Sequence, residues 1–290
     1  MSRALNQGSV WLERRVIAYA HQGGAWESPS STLHAIRHAL AAGVTAIELD
    51  VHATADAELV VCHDATVDRT TEASGAIASF RLEELRRLDF SYWWIPGADV
   101  TPGRRPEEYP FRGRAPRERA FGIATLREVL EEFPGVVLNL DIKQTAPTVA
   151  PYEEALAVLL AEYGRVDDVI VASFLDPATD AFRSFAPDVP TSAGTIATAE
   201  AWRAAQAGED LPDIPAVAFQ VPERQGDLVV VDDRFVEAAH RAGKAVHVWT
   251  VNDAESMERL LGLGVDGIIS DLPTTLNGVL SAARVGWDGR

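Results

Sequence analysis

Apolar and polar positions alternate twice between Ala46 and Asp64, and this stretch organises the rest of the chain. In Ile47-Glu48-Leu49-Asp50-Val51-His52 the alternation predicts a strand with Ile47, Leu49 and Val51 on one face and Glu48, Asp50 and His52 on the other. A second run, Leu59-Val60-Val61-Cys62-His63, follows after too few residues for the helical crossover that a parallel partner requires. The two runs are therefore expected to form an antiparallel hairpin. With a two-residue turn at Asp56-Ala57, pairing places Asp50 opposite His63, so that Glu48, Asp50 and His63 converge.

Around this hairpin the pattern alternates between strand and helix. Arg15–Ala20 reads as a first strand running into His21-Gln22-Gly23-Gly24, and Leu33, Ile36 and Leu40 follow helical spacing over Thr32–Ala42. Arg81–Leu88 is a short amphipathic helix. From Asp89 to about Gly122 the rhythm stops, and Trp93, Trp94, Tyr109 and Phe111 stand among prolines, glycines and arginines. This insertion (89–122) has two readings: a packed surface loop whose aromatic rings cover the core, or a cap over a pocket. Thr125–Phe133 returns as a helix and Val136–Lys143 as a strand, with Asn139, Asp141 and Lys143 on one face. Strands are then expected at Val169–Phe174, Pro190–Gly194, Ala216–Val221, Ala245–Val251 and Gly267–Ser270, separated by helices.

Without the hairpin arm Leu59–His63, the parallel strands number eight, the count that closes a (β/α)8 TIM barrel of the α/β class. Chemistry in such barrels sits at the C-terminal ends of the strands. His21, Glu48, Asp50, Asp141 and Lys143 all fall there, and Trp249 joins them near the end of the seventh strand.

Length and composition narrow the function. A chain of 290 residues with 47% hydrophobic side chains suits one barrel domain, and the absence of a long apolar run argues against a spanning helix. The stretch Met1–Arg15 is too charged for a secretory core, so cytoplasmic residence is expected. Cys62 is the one cysteine, which excludes an internal disulfide and suggests a small buried hydrophobe. The formal charge of −17 repels nucleic acid and anionic membranes alike. An anionic small substrate then needs a local positive centre, a metal or a lysine. A homo-oligomer is compatible with all of this.

The motifs together resemble those of bacterial glycerophosphodiester phosphodiesterases. His21-Gln22-Gly23 is similar to that family's His-Arg-Gly, Glu48-Leu49-Asp50-Val51 to its Glu-Leu-Asp-Val, and Val60-Val61-Cys62-His63-Asp64 to its Val-Val-x-His-Asp. Asp68-Arg69-Thr70-Thr71, Leu140-Asp141-Ile142-Lys143, Ser173-Phe174 and Val248-Trp249-Thr250-Val251-Asn252 extend the resemblance over about Val16 to Pro273. Three departures stand out. Gln22 replaces an arginine that contacts phosphate, Ser30-Ser31 replaces Glu-Asn after Pro29, and Asp141 replaces a metal-binding glutamate.

The resemblance implies metal-dependent hydrolysis of a glycerophosphodiester to sn-glycerol 3-phosphate and an alcohol. Glu48, Asp50 and Asp141 offer hard oxygen ligands for Mg²⁺ or Ca²⁺, with Mn²⁺ also admitted, whereas zinc lacks a His/Cys cage. Lys143 would meet a phosphoryl oxygen, and His21 and His63 would serve as base and acid on either side of phosphorus. Gln22, Phe174 and Trp249 complete the expected substrate contacts. His34, His38, His52, His240 and His247 lack such company and are assigned to packing or solvent. Whether the glycerol 2-hydroxyl attacks first, giving a cyclic phosphate, stays open.

Three other functions compete. If Tyr92-Trp93-Trp94-Ile95 admits an acyl chain, the same chemistry becomes that of a lysophospholipase D. Gln22 and Asp141 also allow a catalytically weak phosphodiester-binding protein. An unrelated sugar isomerase barrel is disfavoured by the short hairpin.

Overall fold

The computed structural model describes residue 11 and residues 16–98 and 100–286. Arg15, where the first strand was expected to begin, and the charged stretch around it lie outside the described residues. In chain order the elements are β1 (Ile17–His21), α1 (Leu33–Ala41), β2 (Ala46–Ala53), β3 (Leu59–Val61), α2 (Leu82–Leu85), β4 (Ala124–Thr125), α3 (Leu126–Glu132) and β5 (Val137–Ile142). They continue with α4 (Glu153–Glu162), β6 (Val169–Ala172), α5 (Asp176–Phe185), α6 (Thr195–Ala207), β7 (Ala218–Pro222), β8 (Arg224–Gln225) and β9 (Leu228–Val229). The last are α7 (Asp233–Arg241), β10 (Ala245–Trp249), α8 (Ala254–Leu263), β11 (Gly267–Ser270) and α9 (Pro273–Ala283).

Parallel pairing runs β6-β5-β2-β1-β11-β10-β7. The ring closes between β6 and β7 through residues 190–193, where Val171 pairs with Thr191 and Ser192 with Ala218. This corrects the expectation of a full strand at Pro190–Gly194. Pro190 has no N–H to give a ladder and Gly194 is already the N-cap of α6, so the segment manages bridges rather than a strand. The fold is the expected TIM barrel, with one of its eight positions reduced to those bridges. The β8–β9 hairpin and α9 went unread in the sequence.

The period of two sorts the strands into layers. Ile17, Tyr19, Ala46, Val137, Ile170, Ala218, Ala245 and Ile269 pack together with Trp11 inside the ring. Stepping two residues at a time toward the C-terminal ends turns this apolar layer into Glu48 and Asp50, Asn139 and Asp141, and His247 and Trp249. The opposite parity, including Ile47, Leu49, Val51, Leu138 and Leu140, packs outward under the helices. The apolar bottom layer thus holds the polar top layer in place.

The hairpin forms, with its register one residue away from expectation. Val51 pairs with Val61 and His52 with Val60, and the Cys62 N–H donates to the Asp50 carbonyl at 3.0 Å. Asp50 therefore stands opposite Cys62. The cause is a three-residue loop, Ala55-Asp56-Ala57, in which Ala57 takes φ 61° and Thr54 N–H donates to Glu58 O. His63 lies beyond the paired residues and reaches the rim from the loop.

The insertion is a stack of aromatic rings and cations. The Arg112 guanidinium lies 3.7 Å from the Tyr109 ring centroid and 4.2 Å from that of Tyr92. Trp94 donates its indole N–H to Ala25 O at 2.8 Å, and Trp93 donates to Thr71 O at 2.7 Å. These bonds pin the insertion onto the loop after β1 and the segment after β3.

Candidate active site

A cavity of about 790 Å³ opens at the C-terminal ends of the strands. His21, Glu48, Asp50, His63, Asp141, Lys143, Phe174 and Trp249 all line it, together with Asn139 and Gln220 at its floor. No described residue of the insertion 89–122 lines it. Tyr92-Trp93-Trp94-Ile95 do not line it either. Trp94 is buried against Phe111, and the Trp93 ring is held by Arg112.

Strand register explains the convergence. His21 on β1 aligns with Glu48 on β2, and Glu48 and Asp50 align with Asn139 and Asp141 on β5. Aligned residues share a face, which brings the carboxylates of three positions to one side of two neighbouring ladders. Burial and the nearby Asp50 charge push Glu48 up to about 8. Burial likewise raises Asp141, partly offset by Lys143. Lys143 places its ammonium 2.9 Å from Asp50 Oδ1 and 3.1 Å from Asp141 Oδ2. Its burial opposes the charge, and Asp50 and then Asp141 outweigh it, so Lys143 stays a cation.

Each histidine has its own carboxylate. His21 donates Nδ1–H to Asp271 Oδ1 at 2.6 Å, and His63 donates Nδ1–H to Asp64 Oδ1 at 2.7 Å. His63 Nε2 is left for the cavity, whereas His21 Nε2 lies 3.8 Å from Glu48 Oε2 and also meets the Gln22 amide; the two rings stand edge to face at 6.2 Å between centroids. Burial disfavours the charged form of His21, but the Asp271 bond and the Glu48 charge prevail and raise it to about 9. Asp64 is held well below the usual carboxylate range: burial works the other way, and the bonds from His63 and from Arg69 Nε at 2.7 Å overcome it.

Gln22 stands behind the site and does not line the cavity. Its backbone N–H donates to Glu48 Oε2 at 3.1 Å, and its side-chain Nε2 lies 3.2 Å from His21 Nε2. A terminal amide can turn either its oxygen or its NH₂ to the ring, so it suits either charge state of His21. A guanidinium offers donors only. The buried Gln22 backbone sits at φ 52°, a strained setting that presents its N–H to Glu48.

The donors suit a hard cation in kind. Asp50 Oδ2 and Asp141 Oδ1 are buried without a hydrogen-bond partner, a cost that an oxygen-seeking ion would relieve. Among the described residues no three His, Cys, Asp or Glu side chains are gathered closely enough to hold one as they stand, and the Lys143 ammonium bridges two of the carboxylates.

A family model described as the glycerophosphoryl diester phosphodiesterase family matches residues 21–275. The chain belongs to that family. A glycerophosphodiester phosphodiesterase from Caldanaerobacter subterraneus subsp. tengcongensis is 32% identical over 268 residues, covering 90% of this chain and 96% of the relative. Among solved structures, a phosphodiesterase from Oleispira antarctica in complex with the product sn-glycerol-3-phosphate superposes with a TM-score of 0.70 at 22% identity, covering 94% of this chain and 100% of that one. A glycerophosphodiester phosphodiesterase from Agrobacterium tumefaciens gives 0.67 at 22% identity, covering 91% and 99%. Every site residue from His21 to Asp271 falls inside the span matched by the glycerophosphoryl diester phosphodiesterase model.

Sequence reasoning missed Asp271 and Asp64 as partners of the histidines, and Asn252 as the support behind Asp271. Asp271 carried a signal, since it follows the last strand at the catalytic end of a barrel. The remaining histidines have other tasks. His34 packs on Phe121, His38 lies near Glu27, His52 approaches His63 O, His240 pairs with Asp266, and His247 is buried inside the ring.

Proposed function

We propose that this protein hydrolyses glycerophosphodiesters to sn-glycerol 3-phosphate and an alcohol, with a divalent cation held by Glu48, Asp50 and Asp141. The observation that carries this reading is the pair of carboxylate-backed histidines facing one cavity beside three buried carboxylates and a lysine. Mg²⁺ and Ca²⁺ suit the oxygen donors, and Mn²⁺ is a workable substitute. Such an ion neutralises phosphoryl charge and lowers repulsion toward the nucleophile.

The chain's own residues then divide the work. Lys143, whose ammonium bridges Asp50 and Asp141 at the cavity wall, turns to a non-bridging phosphoryl oxygen once those carboxylates hold a cation. His63 takes the proton of the attacking hydroxyl at Nε2 while Asp64 steadies the resulting charge. As the new O–P bond forms and the ester O–P bond breaks, His21 gives its Nε2 proton to the departing oxygen. Water attacking in this way gives sn-glycerol 3-phosphate directly; the glycerol 2-hydroxyl gives a cyclic phosphate, which water then opens as the now neutral His21 takes the water proton and the protonated His63 returns its proton to the 2-oxygen. The lone cysteine, Cys62, is buried and its thiol is pushed up to about 12 by that burial, which leaves it out of the chemistry. No described helix is long and apolar enough to cross a membrane. With a formal charge of −17, a small diester is a better partner than nucleic acid.

The test is turnover of glycerophosphocholine and bis(p-nitrophenyl) phosphate after chelation, with Mg²⁺, Ca²⁺ or Mn²⁺ restored, beside a Glu48→Ala control. Metal-restored turnover that the control lacks is the expected result. Ligand binding without turnover under any of these ions would instead support a phosphodiester-binding protein.

A further inference from the structure

The cavity has two unlike ends. The catalytic set occupies one. The other is walled by Phe174, Trp202, Pro222, Leu228, Val230 and Trp249, contributed by the loop after β6, by α6, by β7 with the β8–β9 hairpin and its following residue, and by the end of β10. Beyond the catalytic set, Arg203 is the one charged side chain among the described lining residues.

This wall is tied together by specific contacts, and Thr195, Thr198 and Gln225 on the same elements also line the cavity. Trp202 donates its indole N–H to Val230 O at 3.0 Å, which ties α6 to the segment after β9 and satisfies the ring's polar atom. Phe174 meets Trp249 edge to face at 5.4 Å and also lies 5.7 Å from the Lys143 ammonium, so it marks the border between the polar and apolar ends. Thr195 N–H donates to Phe174 O at 3.1 Å and joins the start of α6 to that border.

The apolar surface does not stop at the rim. Seven large apolar side chains are exposed among the described residues, and five of them, Phe174, Leu175, Ile196, Leu228 and Val229, line the cavity or adjoin a lining residue in the chain. The other two, Val158 and Phe185, sit on α4 and at the end of α5. Exposed apolar side chains gathered at one mouth mark a ligand surface.

We infer that the apolar end is a subsite for a single long hydrocarbon chain, and that the protein's substrates are glycerophosphodiesters carrying one such chain. This rests on the phosphodiesterase reading of the polar end. The diester headgroup lies at Lys143 and the histidines, and the chain runs past Phe174 along Trp202 and Val230 to leave over Leu228. Such a route matches an amphipathic cavity to an amphipathic ligand. A small polar alcohol would leave this wall facing water.

The experiment measures kcat/KM for glycerophosphocholine and for hexanoyl, octanoyl, decanoyl and dodecanoyl lysophosphatidylcholine, all below their micelle-forming concentrations, with the parent protein and Leu228→Gln. The expected result is a rise of up to about fourfold per methylene that enters the cavity. Leu228→Gln, a change on an exposed hairpin, flattens that slope. In the His63→Ala protein, calorimetry with dodecylphosphocholine and its octyl homologue reads the same preference as binding. Turnover of glycerophosphocholine with a flat or falling chain-length series would overturn the chain subsite and leave the phosphodiesterase reading standing. Flat kinetics with co-sedimentation on phosphatidylcholine vesicles would assign the rim to membrane contact and likewise overturn it. Failure to cleave any of these diesters or bis(p-nitrophenyl) phosphate would overturn the phosphodiesterase reading itself, and the chain-bearing substrate with it.

Discussion

His21 and Asp271 lie 250 positions apart in the chain, and the Nδ1–H of His21 donates to Asp271 Oδ1 at 2.6 Å. The contact exists because β1 pairs with β11 in register, Ala20 beside Ser270, so the next residue of each chain segment meets at the rim. Asn252 holds the carboxylate from behind: its Nδ2 donates to Asp271 Oδ2 at 2.7 Å, and its Oδ1 accepts the Asp271 backbone N–H at 2.9 Å. Asp64, by contrast, is backed by the Arg69 cation. A neutral amide leaves the full negative charge of Asp271 to act on His21.

Asp271→Asn is accordingly expected to lower kcat by about 10²-fold, the low end of what general acid–base catalysis contributes, while KM changes little. Steady-state kinetics on glycerophosphocholine check this. An unchanged kcat would remove Asp271 from the acid's support.

Removing the Lys143 cation leaves Asp50 and Asp141 facing each other in a buried site. Lys143→Met is expected to cost about 3–5 kcal/mol of stability at neutral pH, as breaking buried ion pairs does. Mg²⁺ should then raise the melting temperature of the variant more than that of the parent. Calorimetry that showed no Mg²⁺ effect on either protein would count against the carboxylates as ion ligands.

His247 is fully buried inside the ring near Tyr19, and burial lowers it to about 4 from an ordinary 6.5. Between these values the unfolded chain binds the extra proton and the folded one does not, so stability rises with pH across that window. The contribution is fully present above pH 6.5 and is lost as pH falls toward 4. Its full span is about 3 kcal/mol. Urea unfolding at pH 5 and pH 7 should show the loss in the parent and a shallower dependence in His247→Gln.

Gly267 on β11 faces the same ring. A Cβ there would stand 2.8 Å from His247 Cδ2 and 3.1 Å from Tyr19 Cε2, closer than such atoms pack. Gly267→Ala is expected to lose about 1–3 kcal/mol to overpacking. The urea midpoint should fall while activity per folded molecule persists, since neither neighbour lies in the catalytic set.

What was legible in the sequence is what short-range periodicity can carry. The alternation in Ile47–His52 and Val136–Lys143 placed Glu48, Asp50, Asp141 and Lys143 on inward faces, because side chains alternate whatever the strand later pairs with. The helical runs under Leu33, Leu126 and Phe235 were readable for the same local reason. The hairpin's existence was also local, whereas its register depended on how Ala57 bends the loop. The insertion's aromatic content announced packing and left its partners open; Thr71 O and Ala25 O decide where it lies.

The sequence by itself determined the succession of elements, the parity of each strand and the kinds of side chain gathered at the strand ends. Only the tertiary structure decided which of those ends meet. Ring closure set His21 beside Asp271, put Gln22 behind the site, and walled the cavity with α6 and the β8–β9 hairpin instead of the insertion. The physical reason is separation along the chain: a repeat of two or of 3.6 residues acts within one element, but a contact across 250 positions forms only when every intervening strand has taken its place in the ring.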